Sequence, residues 1–231
     1  MAKQGRRRNN QCAYCGEVKP SSRDHVIPRC MFTRPLPENM VTVPTCDECN
    51  GRKSRHDDFL RDLLVTDYAG SQSPIAQQLF ADKTIRSHQQ DKSLFGRIAM
   101  SDSMTEMPIR DETGADDVAV FGTFDFDRAM EMFSFIVRGL YFSFRSVVLP
   151  QDCNFRVGKL FKDDLEVWIA FFNDHGAFGP HRIGDGVFSC VYNYGETTEA
   201  ATFWLLEFYD RVQYSVLTTP AGFKTKRESG A

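Results

Sequence analysis

Four of the seven cysteines stand as two C-x-x-C pairs, Cys12/Cys15 in "CAYC" and Cys46/Cys49 in "CDEC". A C-x-x-C turn lets two thiolates grip one cation from the same side. Two such pairs close a tetrahedral site of soft donors, the kind that holds structural Zn²⁺. Cys30, Cys153 and Cys190 are scattered, and an odd cysteine total without a secretion signal argues for metal binding over a disulfide framework. A second set of capable side chains lies between and just after the pairs. Asp24 and His25 are adjacent in "SRDHVIP", Asn39 sits in "ENMVTVP", and Asn50 follows the last cysteine in "CDECNGRK". An imidazole near its ordinary pKa of about 6.5 can take a proton from water at neutral pH. One carboxylate and one amide oxygen suit a hard divalent cation such as Mg²⁺. A zinc knuckle that only binds nucleic acid or protein needs the four cysteines but has no use for Asp24, His25 and Asn50 together.

These residues need a scaffold, and the local pattern suggests one. A short strand is expected over 23–27, then the Pro-rich loop "PRCMFTRPLPEN", then a second strand in "MVTVP". A helix should start near Thr45 or Cys46 and run through "FLRDLL", where Phe59, Leu60, Leu63 and Leu64 recur at helical spacing. On a regular strand Asp24 and His25 would point to opposite faces. So small a module, with few apolar residues, needs a metal staple to fold.

The ordered set "CAYC", "DHVIP", "ENMVTV" and "CDECNGRK" resembles the HNH nucleases, also called ββα-metal or His-Me finger endonucleases. The resemblance covers about a quarter of the chain. It implies that His25 is the general base, that Asp24 and Asn50 ligate a catalytic Mg²⁺ or Mn²⁺, and that Asn39 orients His25 by holding the loop between the strands through backbone hydrogen bonds. Many members carry His where Asn50 stands. It further implies a DNA substrate and products with 5′-phosphate and 3′-hydroxyl ends; RNA is the alternative substrate. Lys53 falls at the spacing of the family's "CN-x-x-K" ending and is expected on the phosphate, with Arg29, Arg52 and Arg55 as further nucleic-acid contacts and Arg6 to Arg8 as a mobile arm. Some members place a second helical metal ligand where this chain has Ser54; His56 and Asp57 lie nearby, though as exposed helix residues. Cys30, just past the motif, reads as a small buried apolar residue and not as a fifth zinc ligand.

The remainder of the chain has a different texture. Residues 1–56 carry 11 Lys/Arg against 5 Asp/Glu, whereas 57–231 carry 17 against 26. A basic front on an acidic body would meet a polyanion with its front. Ser73-Pro74 opens a helical pattern with Ile75, Leu79, Phe80 and Ile85, His88 falls in a polar helix, and 101–117 reads as a loop. Then come a strand in "VAVFGTFDF" and the strongest helix, 127–145. Asp127 is its expected cap, with a stripe of Met132, Phe133, Ile136, Val137, Leu140, Tyr141 and Phe144. "GVFSCVYNYG", "TFWLLEF" and "VQYSVL" read as strands, while His175 and His181 flank a loop and carry no chemistry. The expectation is an α+β protein. A basic flexible arm (1–10) precedes a zinc-stapled HNH module (11–68), a helical and loop linker (69–115) and a separate α+β domain (116–225) for regulation, dimerisation or substrate selection. No apolar run of 18 residues and no signal-peptide layout occur, so a soluble cytoplasmic protein is expected. A defence system of a bacterium or phage would suit such a nuclease, by analogy alone.

Overall fold

A computed structural model describes residues 10–17, 19–86, 105–110, 113–121, 125–195 and 200–223. Arg6 to Arg8 and His88, to which roles were assigned above, lie outside them. The first strand, β1 (Ser22–His25), pairs antiparallel with β2 (Thr42–Thr45), with Asp24 opposite Val43 and His25 opposite Thr42. The helix expected to run unbroken through 64 is two helices, α1 (Asp47–Ser54) and α2 (Asp57–Val65). Two acidic residues, Asp57 and Asp58, open α2, where they suit its N-terminal dipole. The carbonyl of Arg55 is taken by the Arg128 guanidinium at 2.8 Å instead of continuing the helical ladder. Short helices α3 (Tyr68–Ser71) and α4 (Pro74–Leu79) follow, the latter running on into a widened turn over Phe80–Thr84.

Part of the expected loop at 101–117 is a hairpin: β3 (Thr105–Arg110) pairs with β4 (Asp116–Phe121). Pro108 masks the signal, since a proline is tolerated in a two-stranded ribbon but argues against a strand in isolation. Next comes α5 (Phe126–Arg145), whose cap is Asp125, accepting from the Arg128 N–H at 3.0 Å, and not Asp127. Its entire expected stripe packs against the core. So do Phe135 and Phe142, which lie off the stripe, and Gly139 is buried beside them.

The reason is a second covered face. One side of α5 lies on a five-stranded antiparallel sheet of order β5-β9-β8-β7-β6, formed by β5 (Asn154–Leu160), β6 (Phe178–Ile183), β7 (Phe188–Tyr194), β8 (Thr202–Phe208) and β9 (Val212–Thr219). There Phe133 meets Tyr214 at 4.5 Å and Phe144 meets Tyr192 at 5.2 Å between ring centroids. The other side lies on the cysteine module: Phe135 meets Tyr14 edge-on at 5.0 Å, and a Cβ built on Gly139 would sit 2.8 Å from Val26. The strands alternate as read, with Thr202, Trp204, Leu206 and Phe208 of β8 turned to α5 and fully covered. A helix α6 (Lys162–His175) packs on the opposite sheet face through Phe171 against Phe203, 4.8 Å apart. β5, α6 and β6 were not anticipated. The half-polar face of α6 and the Gly-Pro step in β6 break the periodicity on which such a reading depends.

The α+β class therefore holds, but the apolar core does not divide at a boundary between module and C-terminal half. One buried cluster runs from Cys12, Tyr14 and Val26 through α5 to Trp204 and Val216. Among the described residues no helix is long and apolar enough to cross a membrane.

Candidate functional site

The knuckle at Cys12–Cys15 and the start of α1 bring four sulfurs together. The Sγ atoms of Cys12, Cys15, Cys46 and Cys49 all lie within 4.8 Å of one another, with Cys15 and Cys46 4.0 Å apart. A tetrahedron with metal–sulfur bonds of about 2.3 Å has edges of about 3.8 Å, so the spacing fits one ion. Burial alone would push the Cys12 thiol up. Hydrogen bonds to the backbone of Cys15, Cys46 and Tyr14 bring it down instead to about 7. Cys49 is driven up by burial and then by the neighbouring sulfurs. A thiol such as Cys49, held protonated by burial and by its neighbouring sulfurs, is in the setting that a soft cation relieves. Among the described residues this is the one cluster of three or more His, Cys, Asp or Glu ligand atoms.

Asp24 and His25 end β1, beside this cluster. Asp24 is half-buried, and its Oδ2 accepts from the Tyr14 hydroxyl at 2.5 Å. Tyr14 stays protonated because burial and then the Asp24 charge raise its pKa well above the phenolic range. The same Oδ2 lies 3.2 Å from the Lys53 ammonium, which also donates to the His25 carbonyl at 2.9 Å and approaches Asp57 Oδ1 at 3.5 Å. No described residue bonds to Asp24 Oδ1, to the His25 ring or to the Asn50 side-chain amide, while the Asn50 backbone N–H donates to the Cys46 carbonyl at 3.0 Å. Burial, then Arg29, and more weakly Lys53, pull His25 below the ordinary histidine value, with Asp24 acting in the opposite direction. The imidazole is thus neutral at pH 7. Asn50 is half-buried in α1, three residues before Lys53 and hence on the face of α1 that reaches β1.

Two expected roles change. Lys53 is wholly buried, so its charge is spent inside the protein and cannot reach a phosphate. Asn39 does bond to backbone, but not within the loop between the strands. Its Nδ2 donates to the Arg182 carbonyl at 2.9 Å and its Oδ1 accepts from the Gly184 N–H at 3.1 Å. It therefore ties the Pro-rich loop to the β6–β7 turn across more than 140 residues of sequence.

Arg29, Arg52 and Arg55 are all exposed. Arg29 has no side-chain partner among the described residues, Arg55 Nε donates to the Gly51 carbonyl at 3.0 Å, and Arg52 pairs with Glu131 of α5. Ser54 is exposed and bonds to the Gly51 carbonyl. His56 is not an open ligand: Arg128 Nε donates to its Nδ1 at 2.7 Å and its Nε2 lies 3.3 Å from Glu131. Cys30 donates to the Asp57 carbonyl, and burial drives its thiol up to about 12, which makes it inert. His175 stacks on Phe171 and His181 on Phe144.

Tyr14, Arg128 and Glu131 were missed by sequence reading. A hydroxyl between two knuckle cysteines hinted at Tyr14; nothing in the sequence links Glu131 to Arg52 and His56, far earlier in the chain. Comparison with family models, with curated proteins and with solved structures returned no match.

Proposed function

We propose that the chain is a metal-dependent endonuclease of the HNH type that hydrolyses DNA phosphodiester bonds. The observation that carries this reading is the end of β1. There a neutral, half-buried imidazole follows directly on a carboxylate, and among the described residues neither the ring nor the carboxylate's Oδ1 has a partner, on a hairpin and helix gathered around four thiols. His25 accepts a proton as the water oxygen forms its bond to phosphorus. The bond from phosphorus to O3′ then breaks, and O3′ takes its proton from solvent. Products carry 5′-phosphate and 3′-hydroxyl ends. Asp24 Oδ1 and the Asn50 amide oxygen are hard donors that would hold Mg²⁺ or Mn²⁺, which when bound supplies positive charge to the crowded phosphate. Zn²⁺ at the four cysteines would hold the frame and do no chemistry. Arg29, Arg52 and Arg55 offer exposed positive charge for the backbone of the nucleic acid.

The test is supercoiled plasmid incubated with wild type and His25→Ala, with Mg²⁺ or Mn²⁺ and with EDTA, zinc content being measured in parallel. Base catalysis typically contributes about 10²–10⁴-fold. Wild type should cut only with the divalent cation, and His25→Ala should keep its zinc and lose cutting by that order. Equal cutting by both proteins would refute the reading, as would none by wild type with any divalent metal. Preferential cutting of RNA would keep the chemistry and change the substrate.

A further inference from the structure

A lysine ammonium is among the costliest groups to bury, and proteins do so where it is held by several acceptors. Lys53, with a side chain 1 % exposed, has three: the His25 carbonyl, Asp24 Oδ2 and Asp57 Oδ1. Its shortest contact is not with either carboxylate but with the backbone of His25. If Lys53 served only to neutralise Asp57, its partner four residues on, no contact with β1 would be needed.

The second observation is where the constraints on Asp24 fall. The Tyr14 hydroxyl and the Lys53 ammonium converge on one oxygen, Oδ2. A carboxylate held at one oxygen by two donors from different elements, the knuckle and α1, cannot rotate. Its other oxygen then has a set direction. Tyr14 is itself wedged against Phe135 of α5, so the donor is not free to follow a moving carboxylate.

We propose that Lys53, together with Tyr14, is a positioning residue for the hydrolysis. It fixes Asp24 with Oδ1 as the sole available oxygen and ties the end of β1 to α1, so that Asp24, His25 and Asn50 keep one mutual geometry. This rests on the nuclease reading above. It replaces a phosphate contact by Lys53 with an internal one. A reacting group displaced by about 1 Å can cost about 10²-fold in rate.

The full-length, zinc-loaded chain serves for the test, with supercoiled plasmid at saturating Mn²⁺. Lys53→Met alone leaves two carboxylates uncompensated and can fail to fold. The variants are therefore Lys53→Met/Asp57→Asn, which removes one of those charges, and Tyr14→Phe, which removes only a hydroxyl. Both should keep one zinc per chain and a KM within about threefold of wild type, while kcat falls by about tenfold to 10²-fold. If the double variant loses its zinc, Tyr14→Phe alone decides. Turnover within about threefold of wild type in the zinc-loaded variants would overturn the proposal. So would a raised KM with turnover intact, which would put Lys53 on the DNA. Both results leave the nuclease reading standing. Absence of cleavage by wild type with every divalent cation overturns that reading, and this role with it.

Discussion

Gly139→Ala probes the seam between α5 and the site. Glycine within a helix costs roughly 0.5–1 kcal/mol relative to alanine, so on propensity alone the substitution would stabilise the protein. The structure reverses the sign. The new Cβ would stand 2.8 and 2.9 Å from the two Val26 methyls and 3.4 Å from Tyr14 Cε1. Carbon atoms pack best at about 3.5–4.0 Å, so the helix or β1 must give by roughly 0.7 Å. Val26 is fully buried and stiff at χ1, and cannot turn away. Overpacking of this kind typically costs about 1–3 kcal/mol, which, set against the propensity gain of roughly 0.5–1 kcal/mol, leaves a net loss of up to about 2.5 kcal/mol. Val26 directly follows His25, so the push falls on the end of β1. Denaturant unfolding of the zinc-loaded protein measures the loss. The double variant with Val26→Ala should be less destabilised than the sum of the singles by about 1 kcal/mol or more. A Gly139→Ala that stabilises the protein by the full propensity gain would refute the close packing of α5 on β1 and, with it, the shared core.

Two further outcomes follow from the site. Cys46→Ser should lower bound zinc, read by elemental analysis, from one per chain to none. With free zinc a thousandfold above Kd the site contributes about 4 kcal/mol, about 8–16 °C of Tm at this chain length. His56 contributes to the pH dependence, in the same direction as His25. Burial, then Arg128, hold it below the ordinary histidine value against the opposing pull of Glu131. The unfolded chain therefore binds a proton below about pH 6.5 that the folded one resists, so this contribution to stability is present above that pH and is lost as pH falls from there through the lower folded value. Unfolding between pH 5 and 8 should show a shallower acid loss for His56→Gln than for wild type; an unchanged slope would contradict the assignment.

The residues of the candidate site were legible because their chemistry is local. Two C-x-x-C turns foretell the cluster of four sulfurs through spacing alone. Asp24 and His25 are adjacent, and Asn50 follows directly on Cys49. The stripe of α5 and the alternation in β7, β8 and β9 were equally readable, since burial of one face imposes a period on the sequence. α6 and β6 escaped because their exposed positions carry apolar residues, such as Val167, Ile169 and Phe178, and this erases the period.

What the sequence could not determine is what each polar group faces. The "CN-x-x-K" spacing places a cation one turn beyond Asn50, and only the packing of α1 on β1 decides that Lys53 points inward. Asn39 reads as a loop residue, yet its partners are the Arg182 carbonyl and the Gly184 N–H, set by where the β6–β7 turn lands. The expected seam between module and body disappears for the same reason. A helix pattern reports one apolar face, while Phe135 and Gly139 of α5 acquire a second one only when the cysteine module docks there. Local types and spacings are written in the chain; the partner of a buried charge is a long-range contact, and only the tertiary fold chooses it.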